Sequence, residues 1–291
     1  MKNYLFATFF AVLCVTGFTQ DSTKSGSSVS MNFSSVPIQT ISGTDTGFQN
    51  ALSISPVLDL RTKAGWGVSY SPGIVTSGAK SGIYMHTLSA GYEKYGGKNL
   101  DMVLSYSHFF FTGKTSVPYS PLSNEVFFYL NYTHSWLSPV ISASFGFGKD
   151  TTGAASITTH DIGLAVGVNH NFSWEGKGIF SSIELTPSIL LNAGTNENFS
   201  FLSVSKYLSH SHQFYKYVKK DGGGKGSGRR NNTSNNSTPS LTISNLQFSL
   251  EGELDFSSFS LRPSGNLFLP VSSGTDNSLY GYGELSLQFH F

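Results

Sequence analysis

The sequence predicts an all-β fold, a transmembrane antiparallel up-and-down β-barrel, from three observations. Apolar and polar residues alternate with a period of two along most of the chain, which is the pattern of half-buried strands. The alternating segments run to about 10 to 14 residues, which exceeds the usual globular strand and suits a tilted membrane-spanning strand. Charged residues make up only 12% of the 291 residues, about half the share in a typical globular chain.

The N-terminus is typical of a secretory signal peptide over residues 1–20. Lys2 precedes a largely apolar stretch from 4 to 15, and a polar segment rich in Ser, Thr and Gly follows. No later run approaches the roughly 20 apolar residues of a membrane-spanning helix, which excludes a polytopic helical fold. Bulky Leu13 before Cys14 argues against a lipoprotein signal. Cys14 is the only cysteine, so the mature chain is expected to have no disulfide, thiolate metal site or cysteine nucleophile.

Alternation is clearest in residues 161–174, 183–191 and 246–256. In the first of these, one face carries Ile, Leu, Val, Phe and Trp, and the opposite face carries Gly, Ala, Asn and Ser. Such alternation fits either a secreted β-sandwich, with its apolar face in a core, or a membrane barrel, with its apolar face in lipid. The small, polar and acidic character of the second face suits a wet lumen better than a dry core. Together with strand length, this favours the barrel.

The last segment, residues 278–291, carries a further signal. Leu285, Leu287, Phe289 and Phe291 share one face, and polar residues occupy the other. This pattern resembles the C-terminal β-signal of Gram-negative outer-membrane β-barrel proteins, an amphipathic last strand ending in Phe that the barrel-assembly machinery reads. The resemblance covers roughly a dozen residues, and the rest of the chain matches the class only in pattern. It implies a bacterial outer-membrane location, with the assembly machinery, outer-membrane lipid and lipopolysaccharide as partners.

Loop length predicts the direction of the strands, because outer-membrane barrels have short periplasmic turns and longer extracellular loops. A first upward strand is predicted at 29–40, with residues 42–47 as the first external loop. Short connections are predicted at 62–65, 96–98, 137–138, 175–178 and 257–258. Longer connections are predicted between them, at 77–81, 113–123, 149–156 and 272–277.

The three tryptophans, Trp66, Trp136 and Trp174, all flank predicted short connections. Tryptophan is enriched at membrane interfaces. These residues are therefore predicted to form a periplasmic aromatic girdle.

The strand number depends on residues 193–240. If they form one external excursion, the barrel has 12 strands; if 199–208 and 212–219 form a further hairpin, it has 14, the number that we favour. Both numbers are even, as bacterial barrels require. Residues 219–240 include five basic residues in a Gly, Asn and Ser tract, which predicts a flexible basic external loop. A solvated loop is favoured there over a site for lipopolysaccharide phosphates or an anionic solute.

The sequence shows no catalytic constellation, metal site or cofactor motif. Outer-membrane phospholipases and lipid A deacylases place a His and a Ser two residues apart on one strand face, a spacing that is absent here. His160 and Asp161 are adjacent and therefore point to opposite faces of a strand. His210 and His212 share a face but have no third metal ligand in view. An interfacial position is expected for His108, His134 and His170.

The predicted inner face is acidic. Only Arg61 and Arg262 oppose its carboxylates, so an acidic wall that favours cations is expected. Hairpin register predicts an ion pair between Arg262 and Glu253. The predicted pore-lining residues are Asp59, Asp101, Glu184, Glu251, Glu253, Asp255, Arg262 and Glu284.

Three functions remain open at this stage. The first is a passive outer-membrane channel for small polar or cationic solutes. The second is a structural, surface-binding or secretion-accessory barrel without an open channel, and the more remote third is a membrane-embedded hydrolase. The net charge of +1 gives no general attraction to nucleic acid, and no nucleic-acid partner is expected. A lumen walled by Gly and Ser would indicate a channel, whereas bulky inward residues would indicate occlusion, the candidates being Phe127, Tyr129, Tyr280 and Tyr282.

Overall fold

A computed structural model of the chain describes residues 26–42, 45–76, 81–95, 99–112, 120–150, 157–195, 241–256, 258–271 and 279–290. The predicted signal peptide, the basic segment 219–240 and the possible hairpin at 199–208 and 212–219 lie outside these residues. Within the described ranges, no helix is long and apolar enough to span a membrane. The strands are β1 (Gly26–Ser42), β2 (Asp45–Arg61), β3 (Trp66–Val75), β4 (Gly82–Lys94), β5 (Leu100–Phe111), β6 (Asn124–Tyr132), β7 (Ser138–Asp150), β8 (Ile157–Asn169), β9 (Phe172–Lys177), β10 (Phe180–Gly194), β11 (Thr242–Asp255), β12 (Phe259–Pro270) and β13 (Tyr280–His290).

These strands form one antiparallel sheet that closes into a barrel. The last strand, β13, pairs with β1, and the Ser286 hydroxyl donates a hydrogen bond to Asn32 Oδ1 across this seam at 2.6 Å. One half of β10 pairs with β8 and the other half with β9. The strands β8 and β9 therefore share one strand position in the barrel, interrupted at residues 170–171. Because β10 also pairs directly with β11, the 13 described strands fill 12 strand positions of the barrel. The predicted range of 12 to 14 strands is therefore confirmed, at its lower count of 12 and not at the 14 that we favoured.

The connections lie at the two ends of the barrel as loop length predicted. The end that holds the first and last described residues, here called the short-turn end, has connections at 62–65, 95–99, 133–137, 178–179 and 256–258. The opposite end, here called the long-loop end, has connections at 43–44, 76–81, 112–123, 151–156, 195–241 and 271–279.

Three connections differ most from their predicted positions. The turn predicted at 137–138 spans 133–137, because β7 already begins at Ser138. The first connection comprises only residues 43–44, because β1 extends to Ser42 and β2 begins at Asp45. The turn predicted at 175–178 lies at 178–179, where Gly178 has a positive φ of 69° that glycine adopts readily. Gly65, with a φ of 92°, has the corresponding role in the turn between β2 and β3.

The two faces of the sheet differ sharply in character. On β5, Asp101, Ser105 and Ser107 are buried inside the barrel, whereas Leu104 and Tyr106 are exposed on its outside. Soluble monomers rarely expose a continuous apolar face of this kind, so the outer face is suited to lipid. Exposed apolar residues on other strands include Leu52, Leu60, Val68, Leu88, Val166, Ile189, Phe248, Leu250 and Leu267.

One irregularity in β4 changes which of its residues, even-numbered or odd-numbered, point into the lumen. The β3–β4 register changes between Gly73 and Ile74, so that Tyr84 and Met85 both pack against apolar residues of the lumen. A Cβ on Gly73 would lie 2.8 Å from the Tyr84 ring, which shows that the ring packs over this glycine. Beyond the irregularity, odd-numbered residues of β4 face inward, including Glu93.

Candidate functional site: the barrel lumen

The eight predicted pore-lining residues occupy inner-face positions of their strands, and their role in lining a conducting pore stays a prediction. Their strands bring several of them into cross-strand rows. Glu251 pairs in register with Ser264, which pairs with Glu284. Neighbouring strands lie about 4.8 Å apart, so the two glutamates are separated by about 10 Å along the wall.

Arg262 forms the ion pair that the hairpin register predicted. Its Nη2 lies 2.6 Å from Glu253 Oε1, and its Nη1 donates a hydrogen bond to Gln288 Oε1. This ion pair offsets the charge of Glu253, which lies two residues from Glu251 toward the short-turn end of β11. Glu184 lies next to Glu253 in the same row, where it accepts a hydrogen bond of 2.9 Å from Asn171 Nδ2.

Arg61 pairs with an acid that the sequence analysis missed. Its Nη1 lies 3.4 Å from Glu93 Oε2, its Nη2 donates to the Glu93 carbonyl at 3.2 Å, and its guanidinium lies 5.2 Å from the centre of the Tyr95 ring. A uniform period of two from the start of β4 would place Glu93 outside. The irregularity at Tyr84 and Met85 reverses that parity and turns Glu93 inward.

Two further buried acids were also missed. Glu125 on β6 accepts a hydrogen bond from the Ser144 hydroxyl of β7, and Asp161 on β8 accepts one of 2.8 Å from Thr195. Asp161 is buried and His160 is exposed, so the two point to opposite faces as expected. The alternation of Gly163, Ala165 and Gly167 already contained the signal, because extending it backwards places Asp161 on the inner face.

The wall formed by β5 to β8 is packed with large side chains rather than lined by Gly and Ser alone. Phe127 and Tyr129 point inward from β6 and are each only 1% exposed. They belong to one apolar cluster with Val103, Val140 and Leu190. Of the other two predicted bulky residues, Tyr282 stacks on Phe268 with ring centres 5.9 Å apart, and the side chain of Tyr280 lies outside the described part of the structure.

At the long-loop end, the chain that precedes β6 turns into the lumen. Residues 120–122 are all buried in succession, which breaks the alternation of a strand. Leu122 packs against Phe109 and Phe111 of β5 and Met85 of β4. A Cβ on Gly148 would lie 2.0 Å from the Pro121 carbonyl oxygen, so this segment rests directly on the inner face of β7.

An amide network covers the long-loop half of β10 to β12. Asn192 Nδ2 donates to Asn245 Oδ1 at 2.8 Å and to Gln247 Oε1 at 2.9 Å. Gln247 Nε2 donates to Asn266 Oδ1 at 3.0 Å, and the Ser249 hydroxyl donates to the same oxygen at 2.5 Å. These bonds fix the inner wall of three strands without charge.

The predicted tryptophan girdle residues all lie at the short-turn end with exposed side chains. Trp66 packs edge-on against Tyr92, and Trp136 lies beside His170, with ring centres 5.4 Å and 4.7 Å apart. The aromatic band continues through contacts that the sequence analysis missed. Its further ring pairs are Phe172–Trp174, Phe180–Phe256, Phe256–Phe259 and Phe259–Phe289.

The histidines of the described strands are placed by aromatic and polar neighbours. The ring centres of His108 and Phe110 are 4.3 Å apart, and His108 Nδ1 is 2.7 Å from Asn124 Oδ1. The His134 ring lies beside that of Tyr132. On the outer face, His86 Nδ1 is 2.8 Å from the Tyr70 hydroxyl. Within the described ranges, no group of three His, Cys, Asp or Glu residues is arranged to hold a metal ion. His210 and His212 lie outside these ranges.

Three residues of the predicted assembly signal lie on the outer face of the closing strand. Leu285 and Phe289 are exposed and Leu287 is partly exposed on β13. Phe291 lies outside the described residues.

Comparisons with known proteins give similarity of fold. No protein-family model matches the chain, and no curated protein matches its sequence. The NanC porin structure is 10% identical with a TM-score of 0.45, covering 90% of this chain and 100% of that one. The translocator domain of the autotransporter NalP from Neisseria meningitidis is 10% identical with a TM-score of 0.46, covering 100% and 95%. An outer-membrane channel from Pseudomonas putida F1 is 9% identical with a TM-score of 0.45, covering 95% and 99%.

Proposed function

We propose that this chain is a bacterial outer-membrane barrel that acts as a passive channel for small polar or cationic solutes. The observation that carries the proposal is the distribution of accessible inner surface. On β10 to β13, the inner side chains of Glu184, Thr186, Glu251, Ser264 and Glu284 are all partly exposed. Nearly all inner side chains of β5 to β8 are buried. Of these two walls, the accessible part is therefore the short-turn half of β10 to β13, which carries the acids.

Electrostatics gives this wall a preference for cations. Arg61 and Arg262 are the Lys and Arg residues of the inner face whose side chains the structure describes, and each contacts an acid. The inner face as a whole is net acidic, which raises the local concentration of cations. The preference should fade at high salt, because the Debye length falls from about 10 Å at 0.1 M to about 3 Å at 1 M.

Single-channel recording in planar bilayers tests the channel and its selectivity together. We expect the wild type to conduct and the potassium-to-chloride permeability ratio to exceed one. Replacing Glu251 and Glu284 with Gln should lower this ratio while changing conductance little, because Gln preserves the side-chain shape. Thr87→Ala, on the inner face of β4 away from these acids, is the control and should keep the ratio.

Two results would contradict the proposal. An anion-selective wild type would mean that charges outside the acidic wall, such as those of residues 219–240, control permeation. A wild type that inserts without conducting would favour the accessory barrel. The packed β5–β8 wall is the specific observation that supports this second candidate, because its aromatic side chains reduce the open lumen.

The proposed location requires recognition by the barrel-assembly machinery and contact with outer-membrane lipid and lipopolysaccharide. Leu285, Leu287 and Phe289 support this, because the closing strand presents them to the outside. We expect deletion of Phe291, or its replacement with Asp, to reduce insertion while leaving export across the inner membrane intact. Membrane fractionation with detection of the processed chain measures both steps. The control is Ser188→Ala on the inner face of β10, a strand that does not pair with β13. Normal outer-membrane levels of the Phe291 variants would rule out the signal.

A further inference from the structure

The apolar cluster of Phe127, Tyr129, Val103, Val140 and Leu190, here called the aromatic wedge, is built into one side of the lumen. Phe127 has small partners on both sides, because it pairs in register with Ser105 and Ser144. Tyr129 pairs with Ser142 on β7 and with Val103 of the wedge on β5. Small neighbours leave room for rings to lie over adjacent strands. The wedge therefore fills space that serine side chains alone would leave open.

The reach of Tyr129 shows how far the wedge extends along the wall. The Tyr129 hydroxyl is hydrogen-bonded with the side chain of Asn169 on β8. Because β8 is two strands from β6, about 10 Å away, the Tyr129 and Asn169 side chains together bridge β7. This hydrogen bond anchors the polar end of the ring, so Tyr129 is held at both ends.

Leu190 and Val140 extend the wedge across β8. Both pair in register with Gly167, from β10 and β7 respectively. A Cβ on Gly167 would lie 1.9 Å from the Ile189 carbonyl oxygen, so only glycine allows this approach. The wedge is thus continuous from β5 to β10 and ends where the accessible acidic wall begins.

We propose that the aromatic wedge sets the upper size limit for solutes by confining the passage to the β10–β13 side of the lumen. This inference rests on the proposed channel function and adds the element that determines solute size. Phe127 and Tyr129 are its principal residues, since they are among the largest fully buried side chains of the described structure. Charge selection belongs to the opposite wall, so size and charge are controlled by different strands.

The test is permeation of neutral sugars of graded size into liposomes that contain the full mature protein. Phe127→Ser with Tyr129→Ser should shift the size limit to larger sugars and raise single-channel conductance, while the potassium-to-chloride preference keeps its sign. Phe128→Ala, the outward neighbour on the same strand, is the matched control and should keep the wild-type limit. Phe127→Ser alone retains the Tyr129 hydrogen bond and should shift the limit in the same direction if the double variant does not fold.

The possible results separate the two proposals. An unchanged size limit in folded, conducting variants would overturn the wedge and leave the channel in place. Flux in the serine variants with none in the wild type would overturn the open channel and identify the wedge as a plug. Absence of flux in every folded protein would overturn both.

Discussion

Arginine at Val166 is expected to lower the free energy of unfolding in lipid by about 2 to 4 kcal/mol, the cost of a cation on the lipid face near the bilayer midplane. Val166 is 44% exposed on the outer face, between Ile141 of β7 and Leu191 of β10. It lies near the middle of the strand position that β8 and β9 share. The measurement is denaturant unfolding in vesicles, followed by heat-modifiable gel migration.

The control for Val166→Arg requires an inner position that can hold a long side chain. Neighbouring Ala165 is on the inner face, but it is completely buried between Ser142 and Asn192, so an arginine there has no space. Ser71→Arg is the better control, since Ser71 lies on the inner face of β3 and is partly exposed. We expect it to affect conductance more than stability. Equal stability of Val166→Arg and the wild type in vesicles, or a folded wild type that is soluble without detergent, would contradict a lipid-facing Val166.

Faces and strand ends could be predicted because they depend on local pattern. A period of two assigns each side chain to one face, and Gly65 and Gly178 mark turns through backbone conformations that other residues rarely adopt. The Arg262–Glu253 contact followed from one short hairpin. These inferences needed only residues close in sequence, so the sequence contained all of the information.

Strand number and the parity of β4 could not be predicted in the same way. The choice between 12 and 14 strands depends on whether β10 pairs with β11, which are separated by residues 195–241, and such non-local pairing leaves no local signature. The irregularity opposite Gly73 arises because Tyr84 packs over a glycine on the neighbouring strand. Glu93 was missed for this reason, because its parity depends on a contact between strands.

The filling of the lumen was only half predictable. Parity places Phe127 and Tyr129 inside, but the direction in which their rings lean depends on the serines opposite them and on Asn169 two strands away. Loop residues that enter the lumen do not alternate between two faces, so no sequence pattern predicts which of their side chains are buried. Leu122 therefore gave no signal, although it is among the largest completely buried side chains.

Alanine at Gly148 is expected to displace the inward segment and widen the long-loop mouth of the barrel. The added Cβ would lie 2.0 Å from the Pro121 carbonyl oxygen and 2.7 Å from the Ser123 nitrogen, both of which are backbone atoms that cannot rotate away. Residues 120–122 must therefore move off β7, which withdraws Leu122 from Phe109. Losing the burial of one leucine costs up to about 1.5 to 3 kcal/mol. We expect lower stability together with higher single-channel conductance.

Gly265→Ala is the matched control, because a Cβ at Gly265 on β12 meets no atom within 4 Å. Vesicle unfolding and bilayer recording of the two variants separate packing from permeation. A loss of stability in Gly148→Ala with unchanged conductance would mean that the segment packs on β7 without limiting flow. Unchanged stability and conductance would mean that Pro121 does not rest on Gly148. Higher conductance in Gly148→Ala with an unchanged sugar size limit would mean that the mouth and the aromatic wedge restrict the passage in series, with the wedge as the narrower of the two.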